Sequence, residues 1–536
     1  MKLTQQRVIN GLRQRWTHNK SNQRWQRLIH DVLSHADPVK ETRPVVFFNA
    51  STRLQAMSQN AAYSLLTALA VRLAGVPVIQ FVCNSGLQRC VLGSKRDDYE
   101  QLPPCERCTR QSRTVFKDLD TRWFEPRSYP ELEQQLADLT VGEMETYQYS
   151  GTPLGFWALN SLRWMLRRLT IEDTPRNRAF FRSYILSAWN VYNQFSVLIQ
   201  KENPQAVVLF NGMFYPEAAA RYACLQHNIR VVTHEVGLRP YTAFFTTGEA
   251  TAYPMQIDAD FELDEAMNRR LDDYLSSRFK GDFSMAGVRF WPEIKPLGPD
   301  FLSKAVEFER IVPVFTNVIF DTSQVHANTL FPHMFAWLDN VQAVAAAHPN
   351  ILFVIRAHPD ECRPGKESRE SVADWVKKSG ILTLPNVVFY EASEFVNSYE
   401  LIHRSHLVMV YNSTIGLEAT LLGKPVLAGG KARFTQLETS FYPASADEYN
   451  QLLEKLLATD IIEIPPHFRH NARRFLYYQL YATSLEFGDF VEDDRVWKGY
   501  VKLKDFPLDQ LKPERSPTIQ SLLDGIIHEG DFTNLT

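Results

Sequence analysis

Short apolar segments alternate with helical segments over residues 310–430, and this alternation constrains the fold more than any other feature of the chain. Each segment is apolar at successive positions, which is typical of strands in a parallel sheet covered by helices on both faces. The segments are IVPVFTNVIF (311–320), NILFVIRAH (350–358), NVVFYEA (386–392), HLVMVYNS (406–413) and GKPVLAGG (423–430). The pattern predicts a doubly wound α/β domain at 310–470, which binds ligands at the carboxyl ends of its strands.

The same alternation in the first half of the chain predicts a second Rossmann-like domain. Its apolar segments are VVFFNAS (45–51), VPVIQFVC (76–83), AVVLFNG (206–212) and IRVVTHE (229–235). We expect the two domains to face a cleft and to be joined by a proline-containing crossing at 284–310. The expected organisation is an N-terminal helical segment (1–42), a Rossmann-like domain with a cysteine-containing insertion (43–300), a second Rossmann-like domain (310–470) and a C-terminal helical tail (471–536).

Composition and charge exclude several classes of protein. The 536 residues include 58 lysines and arginines against 61 aspartates and glutamates, and the net charge of −3 gives no overall attraction to nucleic acid or to an anionic membrane. No run of about 18 apolar residues is present, and the N-terminal segment lacks the apolar core of a secretory signal. We therefore expect a cytoplasmic protein with no nucleic-acid partner, and we leave open a peripheral association with the inner face of the membrane.

The segment YNSTIGLEA predicts an anion site where a strand ends at Asn412 and a helix begins. Ser413 and Thr414 offer hydroxyls beside the backbone N–H groups of the first helical turn, in which Gly416 also lies, and both kinds of donor bind phosphate. Glu418 could accept a hydrogen bond from a ribose or sugar hydroxyl. All five are candidate donor-binding residues, and the alternative is that Ser413 only caps the helix.

Two further strand ends of the same domain carry polar side chains. Arg356 and His358 lie near the end of the strand in FVIRAHPDE, where both can contact the phosphate of a leaving nucleotide. Because histidine has a near-neutral pKa, His358 is a candidate catalytic residue that donates a hydrogen bond or a proton to that phosphate. Asn317, near the end of the first strand, is a further candidate donor-binding residue, and the alternative is that it satisfies its own turn.

The first domain offers a candidate general base. The segment VVTHEVGLRP ends a strand with His234 and Glu235, either of which could deprotonate an acceptor hydroxyl or bind a sugar. Asp258-Ala259-Asp260 resembles the metal-binding DxD of one class of glycosyltransferase, but it does not end an apolar strand, and we interpret both aspartates as helix-start acids. No GxGxxG occurs, which argues against a dinucleotide cofactor. The predicted chemistry requires neither a metal nor a cofactor.

Four of the six cysteines form a group near the start of the insertion, namely Cys83, Cys90, Cys105 and Cys108. Four thiols in so short a segment suggest a closed structural zinc site, with an iron–sulfur cluster as a poorer match. The CxxC spacing of the second pair suits zinc, whereas six residues separate the first pair. Reduced thiols that only pack locally, and thiols with redox activity, are the other interpretations.

Two segments resemble a known family. RAHPDE (356–361) and YNSTIGLEATLLGKPVLAGGKARF (411–434) are similar to the HP element and the S-T-x-G-L-E-A element of the capsule polysaccharide biosynthesis family, and the resemblance covers about residues 311–435. That family has the GT-B architecture of two Rossmann-like domains, and its characterised members include transferases of 3-deoxy-manno-octulosonate from a CMP donor. The resemblance implies that His358, Ser413 and Thr414 contact the phosphate of the donor nucleotide.

Together these features predict a glycosyltransferase that uses a nucleotide-sugar donor. A CMP-linked donor is favoured and UDP or GDP is left open, while the expected acceptor is a surface polysaccharide or a glycolipid. The second domain would bind the donor and the first domain the acceptor. Two alternatives remain: a sugar-nucleotide epimerase of the same architecture, and a non-catalytic factor in polysaccharide assembly.

Overall fold

A computed structural model describes residues 2–39, 41–50, 56–279, 284–285, 288–289, 295–496 and 499–534. The strands in these residues are β1 Val45–Asn49, β2 Met57–Ser58, β3 Val78–Cys83, β4 Thr121–Phe124, β5 Ala206–Phe210, β6 Arg230–Val236, β7 Thr242–Thr246, β8 Ser284–Met285, β9 Val288–Arg289, β10 Arg310–Phe315, β11 Ile351–Arg356, β12 Val387–Tyr390, β13 Val408–Val410, β14 Val426–Ala428, β15 Leu485–Glu486, β16 Val491–Asp493 and β17 Tyr500–Leu503.

The α-helices cover most of the segments between these strands. They are α1 Lys2–His35, α2 Gln59–Leu73, α3 Cys105–Val115, α4 Pro130–Leu136, α5 Val141–Glu145, α6 Leu154–Leu166, α7 Pro175–Glu202, α8 Tyr215–Gln226, α9 Glu265–Phe279, α10 Pro299–Ala305, α11 Gln324–Ala327, α12 Met334–Ala347, α13 Val372–Ser379, α14 Ser398–Arg404, α15 Ile415–Leu421, α16 Ala446–Ala458, α17 Pro466–Tyr477 and α18 Pro517–Ile527. Among the described residues, no helix is long and apolar enough to cross a membrane.

The chain divides into two compact units at positions that differ from the predicted boundaries. The first unit comprises Met1–Met165, Ile171–Tyr253 and Leu480–Thr536, and the second comprises Leu166–Thr170 and Pro254–Gln479. Residues after Tyr253 belong to the second unit because α9 packs on α17, where Arg473 Nη1 lies 2.7 Å from Asp272 Oδ1. Pro292, in the crossing predicted at 284–310, lies outside the described residues.

The second unit contains a five-stranded parallel sheet in the order β12-β11-β10-β13-β14. Its first strand in the chain, β10, lies at the centre, where Phe315 is in register with Arg356 of β11 and Val410 of β13. The chain therefore builds outward from β10 in one direction, then returns and builds in the other. The gap beyond the carboxyl ends of β10 and β13 is the point at which ligands bind to sheets of this kind.

The first unit repeats that order. Its parallel strands run β4-β3-β1-β5-β6, and β7 and then β15 extend the sheet in the antiparallel direction. Strand β4 was not predicted because Thr121–Phe124 is short and only partly buried. The predicted fold class, α/β with two Rossmann-like sheets and additional N- and C-terminal helices, is confirmed.

Both ends of the chain pack on the first unit. Trp25 and Ile29 of α1 share one hydrophobic core with Leu66 of α2 and with Ile519 and Leu522 of α18. The C-terminal tail, predicted as one segment from residue 471, belongs to the first unit from Leu480 onward and contributes to this core from Leu485 onward. Val8, Leu12 and Trp16 lie in the predicted N-terminal helical segment, and their side chains are outside the described part of the chain.

A buried carboxylate joins the end of β11 to the start of α13. The two carboxylate oxygens of Glu361 lie 3.2 and 3.3 Å from the backbone N of Val372, and burial raises the pKa of Glu361 to about 8. In the unfolded chain this carboxyl titrates at an ordinary, lower pH. The stability contributed by its neutral form is therefore present at acidic pH and is lost as the pH rises through about 8.

We expect Glu361→Gln to remove this loss, because the amide oxygen still accepts from Val372 but carries no charge. At pH 9 the substitution should raise the free energy of unfolding by about 1–3 kcal/mol, and near pH 4.5 it should change little. Urea unfolding at both pH values measures the difference. Glu307→Gln, at an exposed position of the same unit, is the control. Equal effects of Glu361→Gln at the two pH values would contradict the interpretation.

Candidate functional site

Two asparagines form a hydrogen bond across the point where the strand order of the second unit reverses. Asn317 follows β10, Asn412 follows β13, and Asn317 Nδ2 donates to Asn412 Oδ1 over 2.8 Å. Gln324 Nε2 reaches the same oxygen at 3.4 Å. Asn317 Oδ1 also accepts from the backbone N of Val318 at 2.8 Å, so the residue does satisfy its own turn, as the alternative interpretation proposed. Both asparagines therefore lie where a ligand of this sheet would bind.

His358 lies beyond the adjacent strand end and is held by two backbone contacts. Its backbone N donates to Thr316 Oγ1 at 3.1 Å, and its Nδ1 accepts from the backbone N of Asp360 at 3.2 Å. Burial lowers the pKa of His358, which favours the neutral ring. Since Nδ1 accepts, the proton of the neutral ring is on Nε2, and this nitrogen is the one that can donate to a ligand.

Arg356 is placed differently from the expectation. Its side chain is only 4% exposed, and Nη1 donates to the carbonyl oxygens of Ala357 and Glu391, each over 2.9 Å. Its buried Nε has no partner among the described residues. Because the side chain is buried and its Nη1 donates to strand-end carbonyls, this geometry does not favour a direct contact between Arg356 and a phosphate. Arg356 instead contributes a buried positive charge close to His358.

The start of α15 presents two hydroxyls of unequal exposure. Thr414 is the residue before the helix and is exposed, whereas Ser413 is buried. On sequence alone Ser413 is a candidate capping residue, but Thr414 occupies the N-cap position. The side chain of Thr414 makes no capping hydrogen bond. The helix is seven residues long, which limits its dipole. The hydroxyl groups of this segment are therefore its main means of binding an anion.

Glu418 does not present a free carboxylate. It is buried, its Oε1 accepts from Nε of Arg278 at 2.9 Å, and its Oε2 accepts from the Tyr399 hydroxyl at 2.5 Å. The expectation that Glu418 accepts from a ribose or sugar hydroxyl must be corrected, because both oxygens already have partners. Its observed role is to anchor α15 to α9 and α14.

Gly416 is required for close packing. A Cβ atom at this position would lie 2.8 Å from Cζ of Phe434 and 3.0 Å from Cγ2 of Val410, which is closer than real Cβ contacts allow without movement. The helix α15 can therefore lie against the end of β13 only with glycine here. This packing explains the residue without a contact to a ligand, and its predicted role in donor binding stays a prediction.

A group of basic residues near His358 was missed by sequence reasoning. Lys366 has a pKa lowered by burial and then by the neighbouring charge of Arg363, while Asp360 and Asp321 act in the opposite direction. Arg167 also lies close enough to lower this pKa. The proximity of Arg363 and Lys366 to the HP element was a usable signal, but Arg167 is too distant in sequence for any motif to include it.

The two candidate bases of the first unit differ in exposure. His234 is 2% exposed, and its ring stacks on Phe245 at 5.1 Å and lies 6.0 Å from Phe210. Glu235 is half-buried, and its Oε1 accepts from Asn60 Nδ2 at 3.2 Å. His234 and Asn60 line a small cavity of about 50 Å³. Glu235 is the more accessible of the two, and both roles remain predictions.

The Asp258-Ala259-Asp260 segment precedes α9 as a turn. Arg474 donates through Nη2 to the carbonyl oxygens of Asp258 and Ala259, at 2.7 and 2.9 Å. Helix α9 begins only at Glu265, so the two aspartates are not in its first turn. The interpretation as helix-start acids is therefore wrong, although the segment does lie away from the strand ends, as the sequence indicated.

The four clustered cysteines line one cavity of about 140 Å³ in the first unit. Cys83 ends β3, and Cys105 and Cys108 lie in the first turn of α3. None of the described cysteines forms a disulfide, and burial raises the pKa of Cys90 to about 12. Among the described residues, no three histidine, cysteine, aspartate or glutamate side chains already form a metal-holding group.

The comparisons with known proteins agree with the resemblance seen in the sequence. The model of the family described as "Capsule polysaccharide biosynthesis protein" matches residues 303–437, the part of the chain that contains β10 to β14. The resemblance is thereby confirmed for this segment. No curated protein matches the chain in sequence.

Several solved structures are similar to the chain at low identity. KpsC of Thermosulfurimonas dismutans, described as a beta Kdo 2,7 transferase, is 15% identical over 54% of this chain and 80% of that chain, with a TM-score of 0.31. A beta Kdo 2,4 transferase KpsC of the same organism is 14% identical over 58% and 88%, with a TM-score of 0.35. UDP-GlcNAc 2-epimerase from Neisseria meningitidis is 12% identical over 81% and 98%, with a TM-score of 0.24.

We expect Gly416→Ala to destabilise the second unit by about 1–3 kcal/mol, because the added methyl group must displace Phe434 or Val410. Chemical denaturation measures the change. Gly142→Ala is the control, since a Cβ there meets nothing within 4 Å and the residue lies in helix α5. If Gly416→Ala leaves stability unchanged and weakens only nucleotide binding, the packing role is wrong and the donor-binding role is favoured.

Proposed function

We propose that this protein is a glycosyltransferase that moves a sugar from a nucleotide-sugar donor to a surface polysaccharide or glycolipid. The observation that carries the proposal is the juxtaposition of the bonded pair Asn317 and Asn412 with the Nε2 donor of His358 at adjacent strand ends of the second unit. Parallel sheets with this strand order bind nucleotides at such a point. The match of residues 303–437 to the capsule polysaccharide biosynthesis family supports the choice of acceptor class.

The proposed catalysis is electrostatic. When the bond between the sugar and the nucleotide breaks, negative charge grows on the phosphate, and donors fixed in advance stabilise this charge without reorganising. His358 Nε2 and the hydroxyl of Thr414 are such donors. Because burial lowers the pKa of His358, the ring acts as a neutral hydrogen-bond donor rather than as a strong acid.

We propose that the basic group near His358 takes the place of a metal ion in this reaction. Arg167, Arg363 and Lys366 lie near Asp321 and Asp360, and Arg363 Nη1 is 3.6 Å from Asp360 Oδ2. Positive side chains stabilise a leaving phosphate in the way that a divalent cation does in metal-dependent enzymes. The family resemblance favours a CMP-linked sugar as the donor substrate, and the experiment below also tests other nucleotides.

In the first unit we propose that Glu235 is the general base that takes a proton from the acceptor hydroxyl. It is more accessible than His234, and its Oε1 is positioned by hydrogen bonds from Asn60 Nδ2 and the backbone N of Val236. His234 is packed between phenylalanine rings, which suits a positioning role. A general base of this kind contributes about 10²–10⁴-fold to rate.

We expect His358→Ala to weaken nucleotide binding about 10- to 100-fold, the value of one hydrogen bond to a charged phosphate. Thermal unfolding of the wild type and the variant is measured against CMP, UDP, GDP and ADP. A nucleotide at 100 times its dissociation constant stabilises the native state by about 2.7 kcal/mol. The wild type should respond to one of the four nucleotides, and at the same concentration the response of the variant should fall to about 0.4–1.4 kcal/mol.

His403→Ala is the matched control for this measurement, because His403 is exposed on α14 of the same unit. It should retain the full response. If His358→Ala retained the full stabilisation by a nucleotide, the proposal that the nucleotide binds at these strand ends of the second unit would be wrong. No response to any nucleotide or intact nucleotide sugar would favour the non-catalytic assembly factor.

We expect Glu235→Gln to lower the rate of sugar transfer at least 100-fold while nucleotide binding stays unchanged. The assay follows a labelled nucleotide sugar in the presence and absence of polysaccharide and glycolipid acceptors. His234→Gln should lower the rate less, and a larger effect of His234→Gln would reverse the assignment. Conversion of the donor sugar without any acceptor would identify an epimerase instead.

A further inference from the structure

We propose that Cys83, Cys90, Cys105 and Cys108 bind one zinc ion in the first unit. The proposal rests on the position of the four side chains, all of which line the same cavity of about 140 Å³. They arrive from three different segments of the unit: the end of β3, the irregular segment after it, and the first turn of α3. Their convergence is therefore a product of the tertiary fold and not of sequence proximity alone.

The segments that carry the cysteines are in direct contact. A Cβ atom at Gly93 would lie 2.6 Å from Sγ of Cys90 and 3.0 Å from Cβ of Pro103, so only glycine lets the Cys90 segment approach the start of α3 this closely. Pro104 is the residue immediately before that helix. The close approach brings the Cys90 thiol to the same end of α3 that carries Cys105 and Cys108.

Backbone N–H groups lie beside two of the four thiols. Gly93 donates its backbone N–H to Sγ of Cys90 over 3.1 Å, and the backbone N–H groups of Gly86 and Leu87 interact with Cys83. The described residues that line the cavity include the carboxyl group of Glu217 and no lysine or arginine. A positive ion in the cavity would therefore meet no positive side chain.

Four thiolates are a ligand set of structural zinc sites. Zinc is bound tetrahedrally by cysteine sulfurs in structural sites, and soft thiolates disfavour magnesium and calcium. Each of the four thiols gives up its proton on binding, so the complex of one zinc ion with four thiolates has a net charge of −2. The N–H groups that point at the sulfurs, and the N-terminus of the eleven-residue helix α3, stabilise that charge.

Zinc binding requires a small rearrangement of the side chains. Within the described part of the chain, no three of these residues already form a metal-holding group, so the sulfurs must turn further toward one another. Rotation about χ1 moves each sulfur between staggered positions, and the cavity provides the space for this movement. The bound ion would join β3, the irregular segment and α3, which gives it a structural role.

We expect the full-length protein, purified without chelators, to contain about one zinc ion per chain by elemental analysis. Serine substitution of any one of the four cysteines should reduce the content below half. Two cysteines outside the group serve as matched controls: Cys224→Ser at a buried position and Cys362→Ser at an exposed one should both retain the zinc.

A second readout covers the case in which a serine variant fails to fold. Cobalt replacement of the metal in the wild-type chain should give the intense visible absorption of a tetrahedral thiolate site. The proposal is overturned by protein that contains no metal, by iron in place of zinc, or by zinc content that the four substitutions leave unchanged. Because metal content is measured without any nucleotide, its outcome is independent of the proposed transferase activity.

Discussion

The hydrogen bond between Asn317 and Asn412 spans the place where the strand order of the second unit reverses. Strands β10 and β13 are neighbours in the sheet, but the chain leaves them toward opposite sides, so their carboxyl ends are separated by a gap that backbone bonds do not close. The side-chain hydrogen bond links the two strand ends across this gap. Thr316, one residue before Asn317, holds the backbone of His358, so the position of the histidine depends on the same strand end.

The strands of both sheets were predictable because their signal is local. The apolar segment at 45–51 contains β1, and the segment at 350–358 contains β11, since a strand buried on both faces must be apolar over its whole length. The division into units was not predictable in the same way. Helix α9 lies in the second unit because Asp272 pairs with Arg473, and contacts between such distant residues leave no local pattern.

The candidate site shows the same limit. His358, Asn317 and Asn412 were predictable because the carboxyl ends of parallel strands meet at one edge, whatever the rest of the chain does. The direction of a long side chain could not be predicted in this way, because it depends on the residues with which the side chain forms hydrogen bonds. Arg356 is directed at strand-end carbonyls, and Glu418 is held by an arginine and a tyrosine from separate helices, so neither presents the free group that its position suggested.

The common strand order of the two units argues for different uses of equivalent positions. Strand β3 holds in the first sheet the place that β11 holds in the second, next to the central strand. The loop after β11 carries His358 with a donor nitrogen available to an anion, whereas β3 ends at Cys83, which faces a cavity with other thiols and no basic side chain among the described lining residues. An anionic nucleotide gains no favourable charge there. Under the proposed function, the strand ends of the second unit bind the donor, and those of the first unit are left for the proposed acceptor and zinc sites.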